Sequence, residues 1–131
     1  MRERLNATSE QIIGAAIDVH RALGPGLLES AYEACLSLEF SERGLNAERQ
    51  KPLPLIYRGV TVDCANRLDF VVNGEVIVEL KSVEKLSHVH LAQMVSYLRI
   101  SGLPLGLLLN FKVKWLLDEG VKRVVNDCPD R

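Results

Sequence analysis

Residues 67–81, RLDFVVNGEVIVELK, constrain the fold more than any other part of the chain. Two runs of apolar and β-branched residues flank an Asn-Gly dipeptide, which is the typical signature of a β-hairpin. The charges well inside these strands are Asp69, Glu79 and Lys81. A buried charge without a partner costs several kcal/mol. We therefore expect the three side chains to lie together, either as a salt-bridge cluster or as a site for a divalent metal beside a reacting phosphate.

The length of the turn decides whether the three charges share one face of the hairpin. Side chains alternate along a strand, so Glu79 and Lys81 lie on the same face. A two-residue turn would direct Asp69 to the opposite face. A three-residue loop of residues 72–74, with Gly74 in the left-handed conformation, would bring Asp69 to the same face. We predict this second register, because it segregates the charges from a core-facing set that consists of Leu68, Phe70, Val72, Val76, Val78 and Leu80.

Length and composition predict a single domain over residues 1–131. The chain is 47% hydrophobic and 25% charged, which is typical of soluble globular proteins. Its longest apolar run, residues 103–109, is far shorter than the ~20 residues of a membrane helix. The first residues, MRER, do not resemble a signal peptide. Because Cys35, Cys64 and Cys128 are widely separated, we expect free thiols and a cytoplasmic protein without a membrane partner.

The helical spacing of apolar residues predicts three helices. Thr8 or Ser9 is the expected N-cap of the first, which ends at a Gly-Pro-Gly turn. The second is expected over residues 27–43. Ser87 is the expected cap of the third, over residues 88–100. Along one side of the second helix lie the apolar residues Leu28, Ala31, Cys35 and Leu38.

The remaining strands are predicted from composition and length. Residues 50–59 contain two prolines, which favour an edge strand. Residues 60–72 should form the next strand, with an irregular middle. Residues 105–110 are short and continuously apolar until their last residue, which suits a buried strand. Residues 112–117 and 121–125 are expected to form a final hairpin.

Several polar side chains outside the hairpin are candidates for the same site. Glu29 is expected in the first turn of the second helix, where the helix dipole alone also favours a carboxylate. Gln93 and Tyr97 are four residues apart on the third helix and share a face with His90. The alternative for this face is an ordinary half-buried stripe. Tyr32 should pack with its hydroxyl bonded, and a site residue is one candidate partner.

The segment GLLESAY, residues 26–32, fits a GxxExxY signature, and the chain resembles the GxxExxY family of small proteins over nearly its whole length. That family is similar to the PD-(D/E)XK nuclease superfamily. The resemblance implies an α/β, restriction-endonuclease-like fold with a central mixed β-sheet of four to five strands. The helix pair would flank one side of the sheet, and the third helix would lie near the other edge.

The resemblance also implies a set of site residues. Carried over one by one, Asp69 and Glu79 match the two metal carboxylates, and Lys81 matches the lysine. Glu29 matches the acidic residue of the first core helix, and Gln93 with Tyr97 matches the QxxxY helix motif. Leu68 stands where the superfamily's name has a proline, at a position that varies. His90 and Tyr32 are then expected to support the substrate side of the site.

The activity that the resemblance implies is Mg²⁺- or Mn²⁺-dependent hydrolysis of phosphodiester bonds. Asp69, Glu79, the Leu80 backbone carbonyl and Glu29 would be the oxygen ligands. Lys81 would orient the water or neutralise developing charge. Nucleic acid is the implied partner, DNA in preference to RNA, and a homodimer is compatible with the sequence.

The alternative is a catalytically inactive nuclease fold that binds nucleic acid or another protein, with the charges forming a buried salt-bridge cluster. A net charge of −1 gives no global attraction to nucleic acid and favours this alternative. A candidate local basic strip consists of Lys112, Lys114, Lys122 and Arg123, although scattered lysines on a terminal hairpin usually serve only solvation.

Overall fold

A five-stranded mixed sheet, with two helices on one face and one on the other, forms the centre of the protein. The computed structural model describes residues 2–64 and 66–127. In chain order the elements are α1 Arg2–Leu23, α2 Glu29–Glu42, β1 Ala47–Pro52, β2 Leu55–Tyr57, β3 Val60–Val62, β4 Arg67–Val72, β5 Val76–Lys81, α3 His88–Ser101, β6 Leu105–Asn110 and β7 Val121–Val125.

The strand order in the main sheet is β1-β4-β5-β6-β7. All neighbouring pairs are antiparallel except β5 and β6, which are parallel and connected through α3. The predicted mixed sheet flanked by helices is therefore confirmed. Because β5 and β6 are parallel, their carboxyl ends lie at the same edge of the sheet, where Lys81 is paired with Asn110.

The two faces of the sheet bury different sets of side chains. Phe70, Val72, Val76, Val78 and Leu80 pack against α1 and α2, as the predicted alternation requires. The opposite face packs Val71 and Ile77 against Met94 and Leu98 of α3. Leu68 was expected with the first set but packs in the second. The ladder between β1 and β4 is irregular here, because Gln50 and Asp69, which would be the next partners, are not paired. Gln50 has a left-handed backbone, with a φ of 52°.

The hairpin between β4 and β5 differs from its predicted register by one loop residue. Val72 pairs with Val76, so the loop consists of residues 73–75 and not 72–74. Gly74 has the expected left-handed conformation, with a φ of 65°. This one-residue shift of the loop moves the β5 partner of each β4 residue by two positions. Because side chains alternate with a period of two, Asp69 stays on the predicted face.

The helix pair also departs from the predictions. α1 begins at Arg2, so Thr8 and Ser9 are buried within the helix and are not its N-cap. The Ser9 hydroxyl donates to the Asn6 carbonyl and accepts a bond from Arg123. The buried side of α2 is Tyr32, Leu36 and Phe40. The expected apolar side is wrong, since Leu28 and Leu38 are exposed.

Three predicted strands are divided or absent. Residues 50–59 contribute to the edge strand β1 and then to β2, which pairs with β3 in a separate two-stranded sheet. The predicted strand over 60–72 is accordingly interrupted between β3 and β4. Residues 112–117 do not form a strand; they lead into a π-helical turn, Leu116–Gly120. β7 pairs with β6 instead, and Gly120 packs so closely that an added Cβ would lie 2.5 Å from the Asn110 carbonyl oxygen.

None of the helices in the described ranges combines the length and apolarity that crossing a membrane requires.

Candidate active site

Asp69 and Glu79 lie where the backbone ladder between β4 and β5 ends. The last backbone pair toward this edge is Phe70 with Val78. Beyond it, the Asp69 N–H donates to Glu79 Oε2 at 2.7 Å, and the Leu80 N–H donates to Asp69 Oδ2 at 2.8 Å. Each carboxylate therefore accepts a hydrogen bond from a backbone N–H of the other strand, in place of a backbone carbonyl. We call these two side chains the carboxylate pair.

The carboxylate pair retains an oxygen on each side chain that no strong hydrogen bond occupies. Asp69 Oδ1 has a long contact of 3.4 Å to Gln50 Nε2. Within residues 2–64 and 66–127, no hydrogen bond reaches Glu79 Oε1. Carboxylate oxygens of this kind are the ligands that hard divalent cations prefer. The second oxygens are thus free to bind a cation while the first hold the side chains in place.

Burial makes this pair of charges unfavourable without a cation. Glu79 is only 5% exposed, and burial together with the charge of Asp69 raises its pKa from 4.5 to about 8. Burial also raises the pKa of Asp69. Clustered acids with raised pKa values are typical of functional centres.

Lys81 lies on the same face of β5 as Glu79 but does not form a salt bridge with the pair. Its Nζ donates to Gln93 Oε1 on α3 at 3.0 Å. None of the ion pairs found among the described residues includes Lys81. Its charge is close enough to lower the pKa values of Asp69 and Glu79 in part. The salt-bridge cluster considered from the sequence is therefore not the arrangement that the structure contains.

The expected face of α3 borders the site. Gln93 contacts Lys81 directly, as described above. Four residues further along α3, burial raises the pKa of the Tyr97 hydroxyl, and the charges of Glu79 and Asp69 add to the rise. The structure thus brings Gln93 and Tyr97 beside the carboxylate pair.

Glu29 approaches the site from the first residue of α2. Its carboxylate accepts a hydrogen bond from the Ser82 backbone. Partial burial raises the pKa of Glu29, while the charge of Lys81 lowers it. Glu29 also contributes to the raised pKa of Glu79, which places it within electrostatic reach of the pair.

Glu33, one turn further along α2, was missed by the sequence analysis. It accepts hydrogen bonds from Arg49 Nε at 2.8 Å and from Gln50 Nε2 at 2.6 Å. Its charge contributes to the raised pKa of Asp69. The spacing of four residues from Glu29 was the signal that could have identified it, since such residues share a helix face.

Asn110, also missed, fixes the segment that follows Lys81. It is fully buried; its Oδ1 accepts the Val83 N–H at 3.1 Å, and its Nδ2 donates to the Val83 carbonyl at 2.8 Å. The Phe111 N–H donates to the Lys81 carbonyl at 3.0 Å. A polar residue at the end of an otherwise apolar strand was the available signal.

Tyr32 and His90 have partners outside the carboxylate pair. The Tyr32 hydroxyl donates to the Gly24 carbonyl at 2.5 Å and accepts the Leu27 N–H, so it closes the loop between α1 and α2. His90 Nδ1 accepts the Ser87 N–H at 2.9 Å and caps α3. Among the described residues, the bonds of Tyr32 and of His90 Nδ1 are local and do not reach the carboxylate pair, so the expected role of these two residues at the site stays a prediction.

The residues present fit a divalent cation that is bound mainly by the carboxylate pair. No group of three or more His, Cys, Asp or Glu side chains forms a ready-made cage in the part of the chain that the structure describes. Mg²⁺ commonly needs only one or two carboxylates, together with water and substrate phosphates. Asp69 and Glu79 meet that requirement, and their neighbour Leu80 lies at the same break in the ladder.

Comparison with protein families identifies the superfamily to which the chain belongs. The family model of the PD-(D/E)XK nuclease superfamily matches residues 6–124, a range that contains the carboxylate pair, Lys81 and the contributing faces of α2 and α3. Searches of curated proteins and of solved structures gave no significant match. The narrower assignment to the GxxExxY family stays a prediction.

Proposed function

Since the chain belongs to the PD-(D/E)XK nuclease superfamily, we propose that it is a metal-dependent nuclease that hydrolyses phosphodiester bonds of nucleic acid, DNA in preference to RNA. The carboxylate pair is the observation that carries the proposal. The buried Glu79 and the half-buried Asp69 lie at a break in the sheet, and each is fixed by a backbone N–H. No ion pair neutralises either acid among the described residues. Such an arrangement costs folding free energy and is explained by a ligand that the acids are built to hold.

Asp69 and Glu79 would hold a Mg²⁺ or Mn²⁺ ion, with the Leu80 carbonyl and Glu29 as further ligands. When bound, the ion supplies an activated water and neutralises charge on the phosphate. The raised pKa of Glu79 means that the metal and a proton compete for this carboxylate. Metal affinity should therefore increase as the pH rises toward about 8.

Lys81 provides a positive charge that the fold does not use for a salt bridge. Gln93 holds its Nζ at 3.0 Å and so restricts the lysine to one orientation. A fixed ammonium beside the reacting phosphate stabilises the negative charge that develops on the phosphate oxygens. Tyr97, kept protonated by its raised pKa, retains a hydroxyl that can donate to the substrate.

Cleavage of end-labelled DNA and RNA oligonucleotides in Mg²⁺ or Mn²⁺, against an EDTA control, tests the proposal. Lys81→Ala should reduce the rate by ~10²–10³-fold and leave Mn²⁺ affinity, measured by calorimetry, unchanged. Lys85→Ala is the matched control, because Lys85 is an exposed lysine four residues further along, in the segment between β5 and α3. It should cut at the rate of the wild type.

Two results would contradict the proposal. Equal cleavage by the wild type and Lys81→Ala would point to a contaminating nuclease. Mn²⁺ binding without cleavage of any substrate would instead support the inactive binding module.

A further inference from the structure

The surface of the protein also contains a groove that the carboxylate pair does not line. This open groove of ≈ 490 Å³ runs between the carboxyl end of α1 and the loop that follows β6. One wall consists of Arg21 and the turn after α1, and the other of the loop after β6 and the π-helical turn. The lining includes Arg21, Gly24, Lys114, Trp115 and Asp118.

Trp115, the single tryptophan of the sequence, projects from a firmly anchored loop. Its side chain is 60% exposed, but the next residue, Leu116, is buried in the core. On the other side, the Val113 carbonyl accepts a bond of 2.8 Å from Nε2 of the buried His20. Exposing a large aromatic ring to water is unfavourable, and the exposed ring adds nothing to the stability of the fold. A ring in this position is typical of a recognition surface.

The charges around the ring favour a polyanion. Lys114 Nζ lies 5.5 Å from the centroid of the Trp115 ring. Neither Lys114 nor Arg21 takes part in an ion pair with any described residue. Asp118 is the acidic residue of the lining, so two cations face one carboxylate. A groove that combines an aromatic platform with unpaired cations matches a strand with bases and phosphates.

Both walls of the groove are continuous with the candidate active site. The loop that carries Trp115 begins at the end of β6, where the Phe111 N–H bonds to the Lys81 carbonyl at 3.0 Å. Lys112, at the start of this loop, pairs at 3.0 Å with Glu84, which follows β5. In the other wall, Gly24 is five residues before Glu29. The groove and the candidate active site are therefore built from neighbouring segments of the chain.

We propose that the groove binds unpaired, single-stranded DNA, with a base stacked on Trp115 and phosphates against Lys114 and Arg21. The inference rests on the proposed function for the nature of the substrate and deepens it by specifying the form of the strand. In a duplex, both faces of each base are covered by the neighbouring bases, whereas an unpaired base is free to stack on an aromatic side chain. Stacking and phosphate contact need no ribose 2′-hydroxyl, so single-stranded DNA satisfies them, and the choice of DNA follows from the proposed function.

The test measures binding in EDTA, where metal-dependent cleavage is absent. Wild-type protein is titrated with a fluorescein-labelled dT15 oligonucleotide, followed by anisotropy, and with unlabelled dT15, followed by Trp115 fluorescence. We expect quenching of the tryptophan. Trp115→Ala should weaken binding by roughly 5- to 100-fold, and Trp115→Phe should restore most of the affinity. Arg21→Ala and Lys114→Ala should each reduce the slope of log K against log salt by about 0.7.

Tyr57 and Arg58 provide a matched control in another part of the fold. Tyr57 is 65% exposed, and Arg58 lies 5.6 Å from its ring centroid at the turn between β2 and β3. Tyr57→Ala should bind dT15 as tightly as the wild type. Circular dichroism of every variant verifies that each one is folded.

Several outcomes would overturn the proposal. These are the absence of tryptophan quenching by dT15, an equal loss of affinity in Tyr57→Ala and Trp115→Ala, or tighter binding of a duplex of the same length. Much tighter binding of rU15 would reassign the groove to RNA, and quenching by an acidic peptide but not by dT15 would reassign it to a protein partner. Because no cleavage is measured, a failure here is distinct from a failure of the proposed nuclease activity.

Discussion

Replacing Glu79 with glutamine is expected to stabilise the metal-free protein at alkaline pH. The side chain is 5% exposed, and burial with the nearby Asp69 charge raises its pKa from 4.5 to about 8. Glutamine retains a side-chain oxygen for the Asp69 N–H, which Glu79 accepts at 2.7 Å. The substitution therefore removes the ionisable charge and preserves the hydrogen bond between the strands.

The folded protein favours the protonated form of Glu79, and this fixes the sign of the effect. A raised pKa in the folded state contributes stability that is complete below about pH 4.5 and is lost as the pH rises through about 8. One pKa unit corresponds to about 1.4 kcal/mol, so the change from 4.5 to about 8 gives an upper limit of about 5 kcal/mol at pH 9. Partial access of water to the site reduces this value. We expect a gain of about 2–3 kcal/mol at pH 9 and less than about 1 kcal/mol at pH 5.

Urea unfolding in EDTA, followed by far-ultraviolet circular dichroism at both pH values, measures this difference. Glu84→Gln is the matched control, because the Glu84 side chain is 89% exposed and its ion pair with Lys112 lies at the surface. It should change the free energy of unfolding by less than about 1 kcal/mol at either pH. Equal stabilities of Glu79→Gln and the wild type at pH 9 would refute the reasoning, as would the same gain at both pH values.

Three further predictions concern the groups that position the site. Asp69→Ala should be less stable than Asp69→Asn by about 1–3 kcal/mol, because alanine leaves the Leu80 N–H without its acceptor at 2.8 Å; urea unfolding in EDTA measures this, and equal stabilities would contradict it. Asn110→Ala should lower the free energy of unfolding by about 2–4 kcal/mol, since both polar groups of Val83 lose their partner; a loss below about 0.5 kcal/mol would show that the two bonds contribute little. Gln93→Ala should lower the cleavage rate by about tenfold with unchanged Mn²⁺ affinity, because it releases Lys81 and no metal ligand; a parallel loss of Mn²⁺ affinity in calorimetry would contradict this role.

Local patterns were sufficient to predict the centre of the fold. The strand expected over residues 105–110 is β6, Leu105–Asn110, because a short and continuously apolar run suits a buried strand. Ser87 was identified as the residue before α3, which begins at His88. The hairpin loop was placed one residue too early, since both three-residue loops leave Asp69 on the same face and the alternation cannot separate them.

The remaining features depend on partners that are distant in the sequence. Thr8 and Ser9 were taken for a helix cap, but Asn73 and Arg123 satisfy their hydroxyls from other elements. The link from Glu33 through Gln50 to Asp69 requires the left-handed backbone of Gln50, which no local pattern predicts for a glutamine. Residues 112–117 have the composition of a strand, but β7 already pairs with β6 at that edge of the sheet.

Diffraction from crystals soaked in Mn²⁺ determines whether Asp69 and Glu79 form a metal-binding pair. Anomalous scattering identifies the ion independently of any activity. The proposed metal site predicts a manganese peak that contacts both Asp69 and Glu79 in the wild type, and no such peak in Glu79→Gln crystals soaked in the same way. Wild-type crystals in which manganese binds only at other positions, with Asp69 and Glu79 still bonded to the backbone and without a cation, would contradict it.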